Sequence, residues 1–189
     1  MEIDGTWESG LVLDWHTAHS EYIGDNQFGR PQFETTRTEV GESLFLLKYR
    51  DDLTKTKGLA QTMSNAVTSF FPSVSLIVPM PPSKSRETQP LLILAQKVAE
   101  ILNIPFFENI LIKDDTTSQM KDIDSRQKKV EELMDCFNIN NGISNDGAWD
   151  VLIIDDLYST GASLSAATNM MKTYTKVKKV YVAAFSRTK

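Results

Sequence analysis

The segment Val151-Leu-Ile-Ile-Asp-Asp-Leu-Tyr-Ser-Thr-Gly-Ala-Ser163 decides the predicted fold. Its first four residues are apolar, which predicts a strand buried on both faces of a parallel sheet. Asp155 and Asp156 follow at the carboxyl end of this strand, where open α/β sheets bind their ligands. A short loop comes next, and residues 164–174 have the pattern of a helix.

The loop after this strand has the composition of a phosphate-binding turn. Its backbone amides and the dipole of the following helix attract an anion, and the hydroxyls of Ser159, Thr160 and Ser163 can add hydrogen bonds. Gly161, next to Ala162, allows the backbone to approach a ligand closely. The two aspartates can accept hydrogen bonds from ribose hydroxyls and help to hold Mg²⁺. The segment therefore predicts a phosphosugar site.

Other classes of protein also place two acids after an apolar strand. A Walker B strand requires a phosphate loop ending in Gly-Lys-Ser/Thr, and none of the 9 glycines is followed by Lys-Ser or Lys-Thr. A receiver domain needs about a hundred residues after its acidic pair, whereas this sequence stops at Lys189. A plain buried strand with a solvated acidic end would leave the hydroxyls and the glycine unexplained.

Length and composition predict a single domain over residues 1–189 with a sizeable core. A formal charge of −5 disfavours a protein that coats nucleic acid, so nucleic acid would be at most an indirect partner. Cys136 is the single cysteine of the sequence, which excludes an intramolecular disulfide and favours a reducing cytoplasm. Because no apolar run is long enough for a membrane span and the start does not resemble a signal peptide, we expect a cytoplasmic protein without a membrane partner.

A second strand, basic loop and helix lie earlier in the chain. Residues 74–78 predict a central strand, and a helix is predicted at 89–102, with Pro90 suited to its first turn. The loop between them carries Ser83, Lys84 and Arg86, which could bind an anion or could simply be solvated. Residues 113–126 form a long polar segment of the kind that often serves as a lid or a binding loop.

Residues 1–50 predict a small β-rich flap, with strands at 11–15 and 43–49 and an extended polar segment at 34–39. His16 and His19 could share a metal, but no further ligand lies near, so we favour polar residues at a strand end. The remaining predicted elements are helices at 53–71 and 126–134 and strands at 104–112, 136–139 and 180–185. The alternation over residues 51–189 predicts an α/β fold with a doubly wound, mostly parallel sheet.

From about residue 47 onward the sequence resembles the ComF family of competence-associated phosphoribosyltransferase-like proteins, and residues 155–163 resemble the PRPP-binding motif of type I phosphoribosyltransferases. The chain departs from the family in lacking a cysteine-rich zinc ribbon and in having Arg86-Glu-Thr-Gln89 where Arg-Gly-aromatic-Asn-Gln is usual. The matching segments are Leu47-Lys-Tyr-Arg50, Ile77-Val-Pro-Met-Pro-Pro-Ser-Lys84 with Arg86, Thr117-Ser-Gln119 with Arg126, and residues 151–163.

The resemblance implies a type I phosphoribosyltransferase fold that binds PRPP with Mg²⁺ and transfers the phosphoribosyl group to a base or amine. It assigns the 5′-phosphate to Ser159 through Ser163, and the ribose and the metal, directly or through the ligand, to Asp155 and Asp156. The leaving pyrophosphate is assigned to a basic loop, and residues 113–126 are the candidate lid. The residues concerned are Ser83, Lys84 and Arg86 in the basic loop and Lys113, Lys121 and Arg126 in the lid.

The acceptor is not identified. Ser159 stands where 6-oxopurine transferases have an Asp, which disfavours that substrate class. Glutamine-dependent phosphoribosyltransferases use a cysteine at the mature N-terminus, whereas here Glu2 follows Met1, so we expect no glutaminase activity. Residues 1–50 are expected to form a hood over the acceptor. Its aromatic residues could stack on a base or pack in the core; they are Trp7, Trp15, Tyr22 and Phe28. Two hypotheses stay open: an enzyme, or a non-catalytic PRPP or nucleotide sensor that acts through a partner in DNA uptake or regulation. A homodimer is also left open.

Overall fold

A computed structural model describes residues 1–82, 88–113, 130–131 and 133–188 of the chain. The strands are β1 (Ser9–Trp15), β2 (Thr17–Asp25), β3 (Pro31–Arg37), β4 (Leu76–Pro79), β5 (Leu111–Lys113), β6 (Phe137–Ile139), β7 (Trp149–Tyr158) and β8 (Val177–Arg187). The helices include α1 (Glu39–Arg50), α2 (Lys55–Phe70), α3 (Pro90–Leu102) and α4 (Ala162–Lys172). Within the described ranges, no helix is both long and apolar enough to cross a membrane.

The main sheet has the strand order β1-β8-β7-β4, and all of its neighbouring strands are parallel. Beyond β4, Phe106 makes a further parallel bridge to Ile77. The strand pairs β2–β3 and β5–β6 are separate and antiparallel. The predicted α/β fold with a mostly parallel sheet is confirmed.

Strand β7 is buried on both faces, as the sequence predicts. Val151 and Ile153 pack into a core cluster that includes α4, whereas Leu152 and Ile154 pack into a second cluster with α1, α2 and α3. All four side chains are 0% exposed. Because successive side chains of a strand point to opposite faces, a strand covered on both sides is apolar throughout.

The sheet is doubly wound around the neighbouring strands β4 and β7. Helix α3 follows β4 along the chain and packs on one face of the sheet, whereas α4 follows β7 and packs on the other. The chain therefore leaves the two strands toward opposite faces. The crevice between their carboxyl ends is the place where open α/β sheets bind ligands.

The prediction of a strand at residues 43–49 is wrong, because this segment belongs to helix α1. The hydroxyl of Thr38 caps the helix by accepting the N–H of Gly41 at 3.1 Å. Leu44 and Leu47, three residues apart, are buried in the core. The apolar residues 44–47 are consecutive, so their periodicity could not distinguish a strand from a helix.

The strand predicted at 104–112 is wrong in its extent. Phe106 bridges to β4, a turn follows, and β5 begins only at Leu111. Strand β1 lies in the main sheet, so the β2–β3 hairpin is the part of residues 1–50 that forms separate β structure. The hood role of residues 1–50 stays a prediction, and most of the helix predicted at 126–134 lies outside the described residues.

Candidate functional site

A cavity of about 300 Å³ opens at the carboxyl ends of β4 and β7. Residues from seven elements or their flanking loops meet there. They include Asp155, Asp156 and Leu157 of β7, Met80, Pro81 and Pro82 after β4, Lys48 of α1, Pro90, Leu91 and Leu92 of α3, Lys113 and Phe137 of the small sheet, and Ser163 of α4. Asp155 and Asp156 form the acidic floor of the cavity, which also has two lysines and an apolar wall. It lies at the place that the topology predicts.

Asp155 is enclosed by protein atoms, although part of its surface still faces the cavity. Burial, followed by the neighbouring charge of Asp156, raises the pKa of Asp155 to about 7. One oxygen of this carboxyl accepts the backbone N–H of Asp156 at 2.8 Å. Near neutral pH, Asp155 therefore exists in both protonation states and can donate as well as accept a hydrogen bond to a sugar hydroxyl.

Asp156 forms an ion pair with Lys48, whose Nζ lies 2.6 Å from Asp156 Oδ2. The two side chains are 23% and 22% exposed, so the pair is only partly screened by water. Sequence reasoning did not assign Lys48 to the site. The residue lies in the family-like segment 47–50, but a contact between residues 108 positions apart has no local signal.

The loop between β7 and α4 surrounds a smaller cavity of about 80 Å³, which is also lined by Asp155. Gly161 has a φ of 77°, a left-handed conformation that glycine adopts most easily. Helix α4 begins directly after it without a side-chain cap, although Ala162 N–H lies 3.4 Å from Thr160 Oγ1. Uncapped amides at a helix N-terminus favour an anion, so the local geometry suits a phosphate.

The predicted site residues are only partly within the described ranges. Asp155, Asp156 and Ser163 share the larger cavity, and residues 158–164 line the smaller one. Lys113 also lines the larger cavity, and its Nζ lies 6.0 Å from the ring centroid of Phe137. The assignments to Ser83, Lys84, Arg86, Lys121 and Arg126 lie outside the described residues. The role of each residue stays a prediction.

The aromatic residues proposed for the hood have different environments. Trp7 is a core residue and does not provide a stacking surface, because it is 7% exposed and its Nε1 donates to the carbonyl of Ile3 at 2.9 Å. The guanidinium of Arg187 already lies over the ring of Trp15, with its Cζ 4.6 Å from the ring centroid. Tyr22 and Phe28 are exposed on the β2–β3 hairpin.

The two histidines contact different partners. The Nδ1 of His16 lies 3.1 Å from Ser186 Oγ, which in turn lies 3.4 Å from the backbone oxygen of Asp156. His19 lies on the hairpin, 4.0 Å from Glu21. Across the part of the chain that the structure describes, no group of 3 or more His, Cys, Asp or Glu could hold a metal ion.

These contacts run from His16, directly after β1, through Ser186 of β8 to Asp156 of β7, at the edge of the sheet that carries the cavity. Burial lowers the pKa of the His16 imidazole from its ordinary value of 6.5, and the positive charge of Arg37 lowers it further. Near neutral pH, His16 is therefore a neutral ring next to the acidic floor of the site.

A parallel sheet with a crevice at the carboxyl ends of two neighbouring strands, next to two acids and a glycine-containing loop, is the arrangement of the type I phosphoribosyltransferase fold. The chain has this fold, as does B. subtilis glutamine phosphoribosylpyrophosphate amidotransferase, solved with ADP and GMP. That likeness has a TM-score of 0.50 and 13% identity, and covers 84% of this chain and 34% of that one. Adenine phosphoribosyltransferase from Trypanosoma brucei, solved with AMP, pyrophosphate and ribose-5-phosphate, gives a TM-score of 0.47 and 18% identity, over 74% of this chain and 55% of that one.

The sequence identifies a family within this fold class. The Bacillus subtilis competence protein ComFC is 31% identical, over 74% of this chain and 67% of the relative. The chain therefore belongs to the ComFC family of phosphoribosyltransferase-like proteins, which confirms the resemblance seen in its motifs. No family model matches the chain.

Proposed function

We propose that the protein binds PRPP with Mg²⁺ and transfers its phosphoribosyl group to a base or amine, releasing pyrophosphate. The observation that carries this proposal is that Asp155 lines both cavities. A sugar phosphate that spans them would place its ribose hydroxyls beside Asp155 and Asp156 and its 5′-phosphate on the loop of residues 158–164. Membership of the ComFC family supports the same class of ligand.

In such a transfer, a C–N bond forms at the anomeric carbon while the C–O bond to pyrophosphate breaks. The bonding electrons leave with the pyrophosphate, and the nucleophile gives up its proton. Positive charge builds on the ribose, so the carboxylate of Asp156 is suited to stabilise the transition state. Lys113 lines the same cavity and supplies one cation for the leaving group. We propose Lys84, Arg86, Lys121 and Arg126 as further cations for the pyrophosphate, and Ser83 as a hydroxyl donor to it.

The carboxylates of Asp155 and Asp156 fit a Mg²⁺ ion that is held jointly by the protein and the bound substrate. Asp155 and Asp156 provide carboxylate oxygens, but Asp156 is already ion-paired with the ammonium of Lys48. Mg²⁺ is commonly bound by one or two carboxylates together with substrate phosphates and waters. We therefore expect PRPP oxygens and waters to be the ligands of the ion, and the two acids to hold it through those waters. When bound, the ion would neutralise charge on the leaving pyrophosphate.

A second candidate function is a non-catalytic sensor of PRPP or a nucleotide that acts through a partner in DNA uptake or regulation. It is favoured by the relative's name, a competence protein. The exposed side chains of Tyr22, Phe28 and Phe33, which are 54%, 75% and 58% exposed, offer apolar surface of the kind that partners bind. We place either function in the cytoplasm, because the free thiol of Cys136 suits a reducing compartment.

A screen for pyrophosphate release separates the two functions. The protein is incubated with PRPP and Mg²⁺ and with purine bases, pyrimidine bases or amines, and the phosphoribosyl product is identified by mass. Transfer predicts that one acceptor class accelerates pyrophosphate release, and that the Asp155→Asn/Asp156→Asn double variant abolishes the acceleration. Tight PRPP binding without acceleration by any acceptor would contradict the transferase and leave the sensor.

A further inference from the structure

Lys48 reaches the acidic floor from α1, which lies outside the two strand–loop–helix units, β4 to α3 and β7 to α4, that contribute most of the site. Its position in the last turn of α1 is well fixed. Thr38 caps the start of the helix and donates its hydroxyl to the carbonyl of Trp15 at 2.5 Å. Gly41 packs directly against the backbone of His16, where a Cβ would collide with the carbonyl oxygen. Leu47, next to Lys48, is 1% exposed.

The charge of Asp156 is balanced by Lys48 without an added ion. The ammonium of Lys48 lies 2.6 Å from Asp156 Oδ2, within charge-assisted hydrogen-bonding distance. Asp155 is the neighbouring acid on the same strand and lines the same cavity. A second cation brought to Asp156 would meet the positive charge of Lys48 at close range, where two like charges repel strongly.

We propose that Lys48 is a positioning residue that neutralises Asp156 and holds it as a hydrogen-bond acceptor for a sugar hydroxyl, in the place that a divalent cation would take at this carboxylate. The role of Lys48 in sugar binding rests on the proposed function, whereas its role in replacing a cation concerns the ligand-free protein. The built-in cation lets an anionic ligand enter without repulsion from two bare carboxylates.

Removal of this charge has two consequences that a merely structural lysine would not produce. The two carboxylates should attract a divalent cation in the absence of any ligand. Binding of an anionic sugar phosphate should become more dependent on added metal, because the metal must then supply the missing positive charge. Both effects can be measured without an acceptor and without turnover.

The test compares Lys48→Met with Lys48→Arg, which keeps the charge, and with the control Lys97→Met. Lys97 is a matched control because its Nζ lies 2.7 Å from Glu100 on the exposed surface of α3. Mn²⁺ binding to each ligand-free protein is followed by electron paramagnetic resonance. We expect Lys48→Met to bind Mn²⁺ about tenfold more tightly than the wild type, an order-of-magnitude estimate for a partly exposed charge. Lys48→Arg and Lys97→Met should match the wild type.

The affinity for ribose 5-phosphate is then measured by calorimetry with and without Mg²⁺. Without metal, we expect Lys48→Met to bind about tenfold more weakly than the wild type, and Mg²⁺ to restore more affinity in the variant. A folded Lys48→Met protein with unchanged Mn²⁺ affinity would overturn the proposal; Lys48→Gln serves if Lys48→Met does not fold. If the wild type binds no ribose 5-phosphate while the Mn²⁺ shift is present, the proposed function fails but the charge replacement stands.

Discussion

The carboxyl group of Asp155 accepts the backbone N–H of Asp156 at 2.8 Å. This contact turns the first acid along its own strand, while the second acid reaches across to Lys48. The two neighbouring carboxyls therefore have different environments: one is disfavoured as an anion by burial, and the other is ion-paired. Pairs of acids in contrasting environments are a recurrent way of giving two carboxyls different chemical roles.

The first prediction concerns stability against pH. Because the pKa of Asp155 is raised from 3.8 to about 7, the folded state holds this proton more tightly than the unfolded state. Its contribution is fully present below pH 3.8 and is lost as the pH rises to about 7. Between pH 5 and 8 the wild type should lose at most about 3 kcal/mol of unfolding free energy from this group.

Asp155→Asn cannot titrate, so its melting temperature relative to the wild type should rise between pH 5 and pH 8. Thermal melts of both proteins at the two pH values measure this difference. Asp146→Asn, an exposed acid in a loop, is the control and should show no such trend. Parallel pH curves for Asp155→Asn and the wild type would show that the Asp155 carboxyl is not perturbed.

The second prediction concerns the turn of the phosphate loop. Gly161 has a φ of 77°, so Gly161→Ala should destabilise the fold by about 1 kcal/mol in urea unfolding, because a Cβ is strained there. Gly58 is an exposed glycine inside α2, and a Cβ there would meet nothing within 4 Å. Gly58→Ala should therefore stabilise the protein by about 0.5–1 kcal/mol. Equal effects of the two substitutions would argue against the left-handed turn.

The local part of this architecture was predictable from sequence, because its signals lie close together in the chain. The apolar run at 151–154, the two acids and the following small residues fix β7, the loop and α4 within about twenty residues of chain. The helix at α3 was predictable for the same reason, since Pro90 marks its first turn.

Long-range features were not predictable in this way. The consecutive apolar residues 44–47 fit a strand or a helix, and the residue that favours the helix, the capping Thr38, lies six residues before this apolar run. The contact of Lys48 with Asp156 and the burial of Trp7 depend on how distant segments pack. The spacing of apolar residues carries no information about such packing, so the sequence does not indicate that Lys48 lies in the site.

The third prediction concerns the histidine at the edge of the site. Burial, and then the charge of Arg37, lower the pKa of His16, so the folded state takes up this proton less readily than the unfolded state. The stability linked to His16 is thus present above pH 6.5 and is lost as the pH falls through its folded pKa. NMR titration of the folded protein should give a midpoint below 6.5 for His16.

Two further NMR measurements identify the cause. In urea the His16 midpoint should return toward 6.5. Arg37→Met should raise the midpoint in the folded protein only in part, because burial is the larger cause and remains in place. A midpoint that is the same in the folded and unfolded protein would contradict the half-buried position of the ring.

The central claim is that Asp155 and Asp156 hold the ribose of a sugar phosphate whose 5′-phosphate lies on the loop of residues 158–164. Calorimetric titration of PRPP with Mg²⁺ into the wild type and into Asp155→Asn/Asp156→Asn tests it most directly. Loss of two charge-assisted hydrogen bonds should weaken binding about a hundredfold or more in a double variant that remains folded. Equal PRPP affinity of the two proteins would contradict the assignment of the site.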